Sequence, residues 1–335
     1  GVSTNGGAVT LSSGSCYRWT FTTAPTDAAG NAAATNLTSA VVKVDTTAPT
    51  TGAASISESS AALYATGTTL YYRPSTAGGD DFTISLSPTD SATGIAAVDF
   101  PVISGMGTGA TNGTTDTSDP YARTYTFGTG TLTASGAETL TVTDGAGNSA
   151  TTNVTLTPDS SGPTGMSISL SEGTSGTYQS TASVTATASG ATDAGAGIAG
   201  YSWTLSGATS GTGSGVTTDA VTAEGVTTVT FTVTDRVGNT SSATATIRLD
   251  RTAPVMSGPT VTETNSSFVA AGQPSLHVAG TTLYLAGSVP VTAGVTVAWT
   301  ITETGSGIDT AACPTITGLT RDSASATING ATATC

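Results

Sequence analysis

The sequence predicts an all-β chain of tandem Greek-key β-sandwiches, set end to end like beads. Three observations predict it. Apolar and hydroxyl residues alternate with a period of two: Val229, Phe231 and Val233 interleave with Thr228, Thr230, Thr232 and Thr234. That pattern buries one face of a strand and hydrates the other. No segment carries a sustained 3.6-residue apolar stripe, and glycine, 42 of 335 residues, punctuates every region, which disfavours helix. Two phrases recur in fixed order, the mark of a repeat architecture.

The first phrase is Asp-x-x-Gly-Asn, at Asp27 to Asn31, Asp144 to Asn148 and Asp235 to Asn239. Each copy is followed by an alternating run and then a linker aspartate: Asp45, Asp159 or Asp250. Turn and linker aspartates lie 15 residues apart in two copies and 18 in the third. A proline closes each linker, at Pro49, Pro163 and Pro254. The glycine can take the positive φ of a tight hairpin, and the turn aspartate can accept backbone N–H groups across it. The second phrase is acid-x-x-x-Gly-Ile, at Asp90 to Ile95, Asp193 to Ile198 and Glu303 to Ile308. Five residues past each Ile stands Phe100, Trp203 or Cys313. Phe100 and Trp203 sit where a sandwich of the immunoglobulin type places its central aromatic.

Phasing on the linkers gives two complete domains, residues 45–158 and 159–249. Residues 250–335 hold a linker and a Gly-Ile phrase but no Asp-x-x-Gly-Asn hairpin, and read as the N-terminal part of a domain. Residues 1–44 hold that hairpin and a final strand, and read as a C-terminal half. The sequence, opening at Gly1 without a signal segment, reads as though cut from something longer. The two partial domains are complementary. The expected partners are therefore copies of this chain joined head to tail, or adjacent repeats of a longer chain. A heterologous contact that does not close generates a fibre.

Composition removes several classes. The 22 acidic residues against 8 basic, formally −14, leave no Lys/Arg cluster to meet nucleic-acid phosphates. No apolar run reaches the ~18 residues of a membrane span. There is no phosphate-binding Gly-Lys-Ser loop, no Cys-x-x-Cys pair and no Gly-x-Ser-x-Gly elbow. His277, the one histidine, has no converging partners and receives no role. Lys43, the one lysine, falls on the polar parity of its strand, where a solvated side chain is expected. The acids recur in every repeat, which speaks for a structural task; an active site would appear once. The expectation is that the chain is not an enzyme.

Val-Thr-Asp-x-x-Gly-Asn, Val-Asp-Thr-Thr-Ala-Pro, SCYRWTF (residues 15–21) and AVVKVDTTAP (residues 40–49) resemble the tandem bacterial immunoglobulin-like domains of very large secreted and cell-surface proteins. The likeness covers essentially the whole chain in three copies. It implies an extracellular or cell-surface setting and a structural role, as in stalks, adhesin shafts or matrix components. It also implies that some members bind calcium at domain junctions. In such repeats a Cys-Gly step precedes the Cys-Tyr-Arg strand, which would place Cys335 before a Gly1. Cys313, at the position of the core aromatic, departs from the pattern.

Nine acids are the candidate site residues: hairpin Asp27, Asp144 and Asp235, expected at one end of each sandwich near the next linker; linker Asp45, Asp159 and Asp250; and loop Asp90, Asp193 and Glu303. Two readings stand side by side. Calcium takes six to eight oxygens, which flexible Asp- and Gly-rich loops supply. Alternatively each carboxylate caps backbone N–H groups as ordinary turn chemistry. Calcium is the only cofactor suggested. For the cysteines, Cys16 with Cys335 is one disulfide candidate and Cys313 with Cys335 its competitor. The function expected is the repeating unit of an extracellular filament or stalk. The alternative is an adhesin-type module that recognises a glycan or receptor through loops at sandwich ends.

Overall fold

The computed structural model describes residues 10–20, 23–33, 38–263, 276–279, 282–285, 295–312, 327–329 and 332–334. Among these the chain is all β, with no helix. It forms two compact units. One comprises Gly1–Met166, Gly190–Tyr201 and Thr232–Ser242; the other comprises Ser167–Ser189, Ser202–Phe231 and Ala243–Cys335.

Strands β1 (Ser15–Tyr17) and β2 (Val42–Val44) pair antiparallel. The repeat at 45–158 supplies β3 (Ala54–Glu58), β4 (Leu63–Thr66), β5 (Thr69–Tyr72), β6 (Asp81–Leu86), β7 (Ile95–Asp99), β8 (Thr115–Asp116), β9 (Tyr121–Thr126), β10 (Gly136–Asp144) and β11 (Ser149–Pro158). They form a three-stranded sheet, β3-β6-β9, and a six-stranded sheet, β4-β5-β11-β10-β7-β8. One core joins residues of both sheets, which makes a β-sandwich. Phe82 stacks on Tyr125 with ring centres 5.1 Å apart, and Phe127 closes on Tyr72 at 4.8 Å. The period-two reading of the long hairpin holds: Leu140, Val142, Val154 and Leu156 are buried, and the threonines between them line the other face. Each of these side chains contributes on the order of 1.5–3 kcal/mol by leaving water. Phe100 is buried in the same core.

The repeat at 159–249 supplies β12 (Ser167–Leu170), β13 (Tyr178–Gln179), β14 (Ala186–Ser189), β15 (Ile198–Gly207), β16 (Gly211–Ser214), β17 (Gly225–Asp235) and β18 (Thr240–Leu249). Its larger sheet runs β13-β18-β17-β15-β16. That is the order β5-β11-β10-β7-β8 of the preceding repeat, strand for strand. The parallel entry is also shared: Gln179 pairs with Leu249 as Tyr72 pairs with Pro158. Val229, Phe231, Val233, Ala245, Ile247 and Leu249 are buried, and so is Trp203. Gly213, across from Trp203 in the β15/β16 register, leaves the space its indole occupies. The internal repeat read from the sequence is thus also a repeat of topology.

Beyond residue 250, β19 (Val255–Glu263) pairs with β22 (Val295–Thr302). β20 (Leu276–Ala279) pairs with β21 (Thr282–Leu285), and β23 (Thr327–Asn329) with β24 (Thr332–Thr334). His277 lies in β20. Lys43 is exposed in β2, as its parity requires. No helix among the described residues is long and apolar enough to cross a membrane.

Candidate functional site

The three Asp-x-x-Gly-Asn hairpins are built alike. In each, the aspartate Oδ1 accepts the N–H groups two and four residues on. These are Ala29 and Asn31 for Asp27, both at 2.9 Å; Ala146 and Asn148 for Asp144, both at 2.9 Å; and Val237 and Asn239 for Asp235, at 3.0 and 2.8 Å. The asparagine Nδ2 donates to the second oxygen at 2.8, 2.7 and 2.8 Å. The glycine before it has φ of 88°, 94° or 87°, a left-handed conformation that a side chain disfavours. Each letter of the phrase therefore has a task.

The loop acids cap their own Gly-Ile turns. Asp90 Oδ1 accepts from Ala92, Thr93 and Gly94 at 3.0, 2.7 and 2.9 Å. Asp193 Oδ2 accepts from Gly195 and Gly197 at 3.0 and 2.7 Å. Glu303, one methylene longer, folds back on Thr304 and Gly305, both at 2.8 Å. In all three the described contacts engage one carboxylate oxygen.

The linker aspartates join loop to hairpin. Oδ1 of Asp45, Asp159 and Asp250 accepts the N–H two residues on, at 3.0, 3.2 and 3.1 Å. Oδ2 reaches into the acid-Gly-Ile loop. Asp159 accepts from Ala196 N at 2.7 Å and Asp250 from Ser306 N at 2.6 Å. Asp45 accepts instead from the Thr93 hydroxyl at 2.8 Å. The difference has a steric cause. Gly195 and Gly305 stand where a Cβ would lie 2.8 Å from Oδ1 of Asp159 or Asp250 and closer still to the rest of the carboxylate. The equivalent residue of the first repeat is Ala92, and there the linker carboxylate settles on a side chain.

The hairpin closes the joint. Gly145 N donates to Gly94 O at 3.0 Å and Arg236 N to Gly197 O at 2.9 Å. Asn148 Nδ2 donates to Asp45 O and Asn239 Nδ2 to Asp159 O, both at 3.2 Å. Three distant phrases thus meet, and their acids converge: in Asp45, Asp90 and Asp144, and again in Asp159, Asp193 and Asp235, one carboxylate oxygen from each lies within 4.8 Å of the others. Asp144, Asp159 and Asp235 are buried. Burial pushes the Asp144 carboxyl up, but the side chain and backbone of Asn148 and the N–H groups of Ala146 and Gly147 outweigh it, holding it below its ordinary 3.8. The side chain and backbone of Asn31 hold Asp27 down, and Ser306 does the same for Asp250.

One expectation is corrected. Asp144 and Asp235 do not lie near the next linker; Asp144 meets Asp45 and Asp235 meets Asp159, each the linker that opens its own repeat. The ten-residue strand β11 or β18 separates hairpin from following linker by ~33 Å at ~3.3 Å per residue. The following linker instead ties back to the repeat it leaves, Asp159 N donating to Tyr72 O at 2.8 Å and Asp250 N to Gln179 O at 2.9 Å.

Sequence reasoning missed three residues at the Asp159 joint. Arg73 Nη1 donates to Gly238 O at 2.6 Å. Arg236 lies over the Tyr64 ring, 4.5 Å from its centre, and donates to the Tyr64 hydroxyl. The scarcity of basic residues, 8 in the chain, was the one available signal. At the Asp250 joint a cavity of about 360 Å³ opens between Ser180, Asp250, Glu303 and Ser306. Cys16 is a free, exposed thiol; Cys313 and Cys335 lie outside the described residues, and the disulfide expectation with them.

No protein-family model matches the sequence, and no curated protein matches it. Among solved structures, the chain is similar to a tetra-tandem repeat in the extending region of a large adhesion protein, at 17% identity and TM-score 0.23, over 83% of this chain and 61% of that one. It is also similar to the protocadherin GammaB4 extracellular domain, at 10% identity and TM-score 0.21, over 87% of this chain and 61% of that one. The chain spans 61% of the length of each. Likenesses this distant leave its function to be argued from its own geometry.

Proposed function

We propose that the chain is a structural, non-enzymatic extracellular protein: the repeating unit of a cell-surface or secreted filament or stalk made of immunoglobulin-like beads. One observation carries the reading. The same joint is built twice from the same three phrases, with the same acceptors and, apart from the Thr93 hydroxyl that stands in for a backbone N–H at Asp45, equivalent donors, and its groups are spent largely on holding backbone. A recurrent fixture of that kind serves geometry, since it ties the linker to the loop and hairpin of the repeat it opens. Proline at the end of each linker restrains the linker further, because it fixes its own φ and keeps the preceding residue extended. Thr- and Ser-rich outer faces keep the surface hydrated. Strands of ~8–12 residues at ~3.3 Å each give beads of ~30–40 Å, and three of them advance roughly 100 Å. Negative-stain microscopy of the native material tests this: fibres with a repeat near that length support it, and compact single particles reject it.

Calcium is the second reading of the triads. It is favoured by the loop acids, each of which spends one oxygen on its own turn, beside two further carboxylates within 4.8 Å. Three converging carboxylates and nearby carbonyls supply the hard oxygens that calcium takes. Isothermal titration of the EDTA-treated chain should then show binding that Asp90→Asn and Asp193→Asn each reduce; an absence of heat at millimolar calcium rejects it and leaves the turn chemistry as the whole account.

A further inference from the structure

We propose that the Asp250–Glu303 joint is a docking site for the Asp27–Asn31 hairpin of a second copy of this chain. The proposal deepens the filament reading and rests on it. Two joints within the chain define what a complete one contains: a linker aspartate tied to the loop, a loop acid capping its turn, and a hairpin laid across both. At the Asp250 joint the first two parts are in place. Asp250 Oδ2 holds Ser306 N, Glu303 caps its own turn, and Asp250 N is tied to Gln179 O as Asp159 N is tied to Tyr72 O. Gly307 has φ of 83°, matching 81° at Gly197 and 73° at Gly94. Among the described residues no hairpin lies across these two parts. Among the described residues nothing donates to the carbonyls of Gly307 and Asp250, the two acceptors that a hairpin engages at the other joints.

The cavity lies where the hairpin would. Its wall includes Ser180, the residue after Gln179. The residue after Tyr72 is Arg73, and Arg73 holds the hairpin carbonyl of Gly238. Ser180 therefore stands at the position from which the preceding repeat grips a hairpin, and the space in front of it is open. The occupant is specified by the same comparison. At the other two joints it is an Asp-x-x-Gly-Asn turn, and the sequence holds three of these. Those at Asp144 and Asp235 are engaged at their own joints. The one at Asp27 is fully formed and exposed at every residue from Asp27 to Asn31. By analogy, Ala28 N–H meets Gly307 C=O, Asn31 Nδ2 meets Asp250 C=O, and the Asp27 carboxylate comes beside Asp250 and Glu303. Its charge arrives already held by Asn31 and two backbone N–H groups. Both segments carry exposed apolar side chains, Trp19, Val41 and Val42 in the segment of the hairpin and Val255 and Met256 after the joint, although Val102, Tyr178, Val216 and Val226 are exposed elsewhere. Docking brings these strands together, and apolar strand faces left in water favour such pairing.

The test is sedimentation velocity of the full chain over a concentration series. Wild type should form species heavier than one 32.4 kDa copy. Asp27→Ala with Asn31→Ala should raise the concentration at half-association about tenfold or more, from the hydrogen bonds lost at the contact. Ser180→Arg should lower it, since an arginine there can grip the Gly30 carbonyl as Arg73 grips that of Gly238. Adding Asp27→Ala and Asn31→Ala to Ser180→Arg should reduce the gain, which nonspecific association of a misfolded variant would not show. A wild-type chain that stays a single copy throughout, or variants that associate as wild type does, overturn the docking. If native material is fibrous while the variants behave as wild type, the docking is wrong and the filament reading stands. If native material is compact, it is the filament reading that falls.

Discussion

Replacing Gly195 by alanine should loosen the Asp159 joint by a calculable amount. A Cβ there would lie 2.8 Å from Asp159 Oδ1 and nearer to Cγ and Oδ2, so the carboxylate must move. The contact it gives up is the 2.7 Å bond from Ala196 N, between a charged acceptor and a donor that are both buried. A hydrogen bond to a charged group is worth about 1.5–3 kcal/mol, and a buried donor left without an acceptor keeps its desolvation cost. Gly195 does not need a positive φ, so alanine also returns ~0.4–1 kcal/mol by restricting the unfolded chain. The net loss is therefore about 1–2 kcal/mol, and at ~1.4 kcal/mol per tenfold the Ala196 amide should exchange with solvent roughly five- to thirtyfold faster. Hydrogen exchange at Ala196 reads this directly. Adding Ala196→Thr to Gly195→Ala recreates the Ala92-Thr93 pair of the first repeat and should recover part of the protection. An Ala196 amide that exchanges as slowly in Gly195→Ala as in wild type refutes the steric account.

Asn239→Asp should destabilise its hairpin more than Asn239→Ala. The alanine loses donors to Asp235 and Asp159 O, about 1–3 kcal/mol for the pair, while the aspartate adds like-charge repulsion; equilibrium denaturation followed by Trp203 fluorescence, with Trp19 and Trp299 replaced by Phe, ranks them. Asp144 is held below its ordinary 3.8 by its hydrogen bonds. Its contribution to stability is therefore full above that value and is lost as pH falls through the lower folded pKa. Acid titration of the Asn148 amide exchange should show the loss below pH 4, and Asp144→Asn should abolish that pH dependence. A double-mutant cycle on Tyr64→Leu and Arg236→Ala should give a coupling of about 0.5–1 kcal/mol, as an exposed cation over a half-buried ring does; zero coupling would mean that the arginine is merely near the ring.

Much of the fold was legible because its signals are local. Alternation along β10, β11, β17 and β18 is a property of neighbouring residues, and burial follows it residue by residue. The hairpin chemistry of Asp144 and Asp235 was legible for the same reason: donors, acceptor and glycine sit within five residues. The joint was less legible, because its parts are 48 residues apart for Asp45 and Thr93 and 103 apart for Asp45 and Asn148. The sequence singled out all nine acids but assigned the Asp144 and Asp235 hairpins to the wrong linker. Proximity in the chain favoured the next linker, 15 residues on, and the length of the return strand decided otherwise. Arg73 and Tyr64 carry no repeat signal at all: Ser180 stands where Arg73 does, so nothing in one repeat announces the other's contact.

The two complete joints also serve as a natural substitution experiment. Between them the linker, loop and hairpin keep their acids, yet the linker carboxylate takes a backbone donor in one and a hydroxyl in the other. If the acids were present only to cap their own turns, the residue two past the loop acid would be free to vary without consequence, since Ala92 and Gly195 both donate their N–H to that acid. The variation is instead matched by the next residue: Thr93, with a hydroxyl to offer, follows the alanine, and Ala196, without one, follows the glycine. Ser306 after Gly305 offers both a backbone and a side-chain donor, and Asp250 takes the backbone N–H at 2.6 Å with the hydroxyl also acting on it, a close approach that needs no Cβ in the way. The linker-to-loop bond is thus what the pair of residues preserves, and the glycine is there because a carboxylate must come within hydrogen-bonding reach of the backbone.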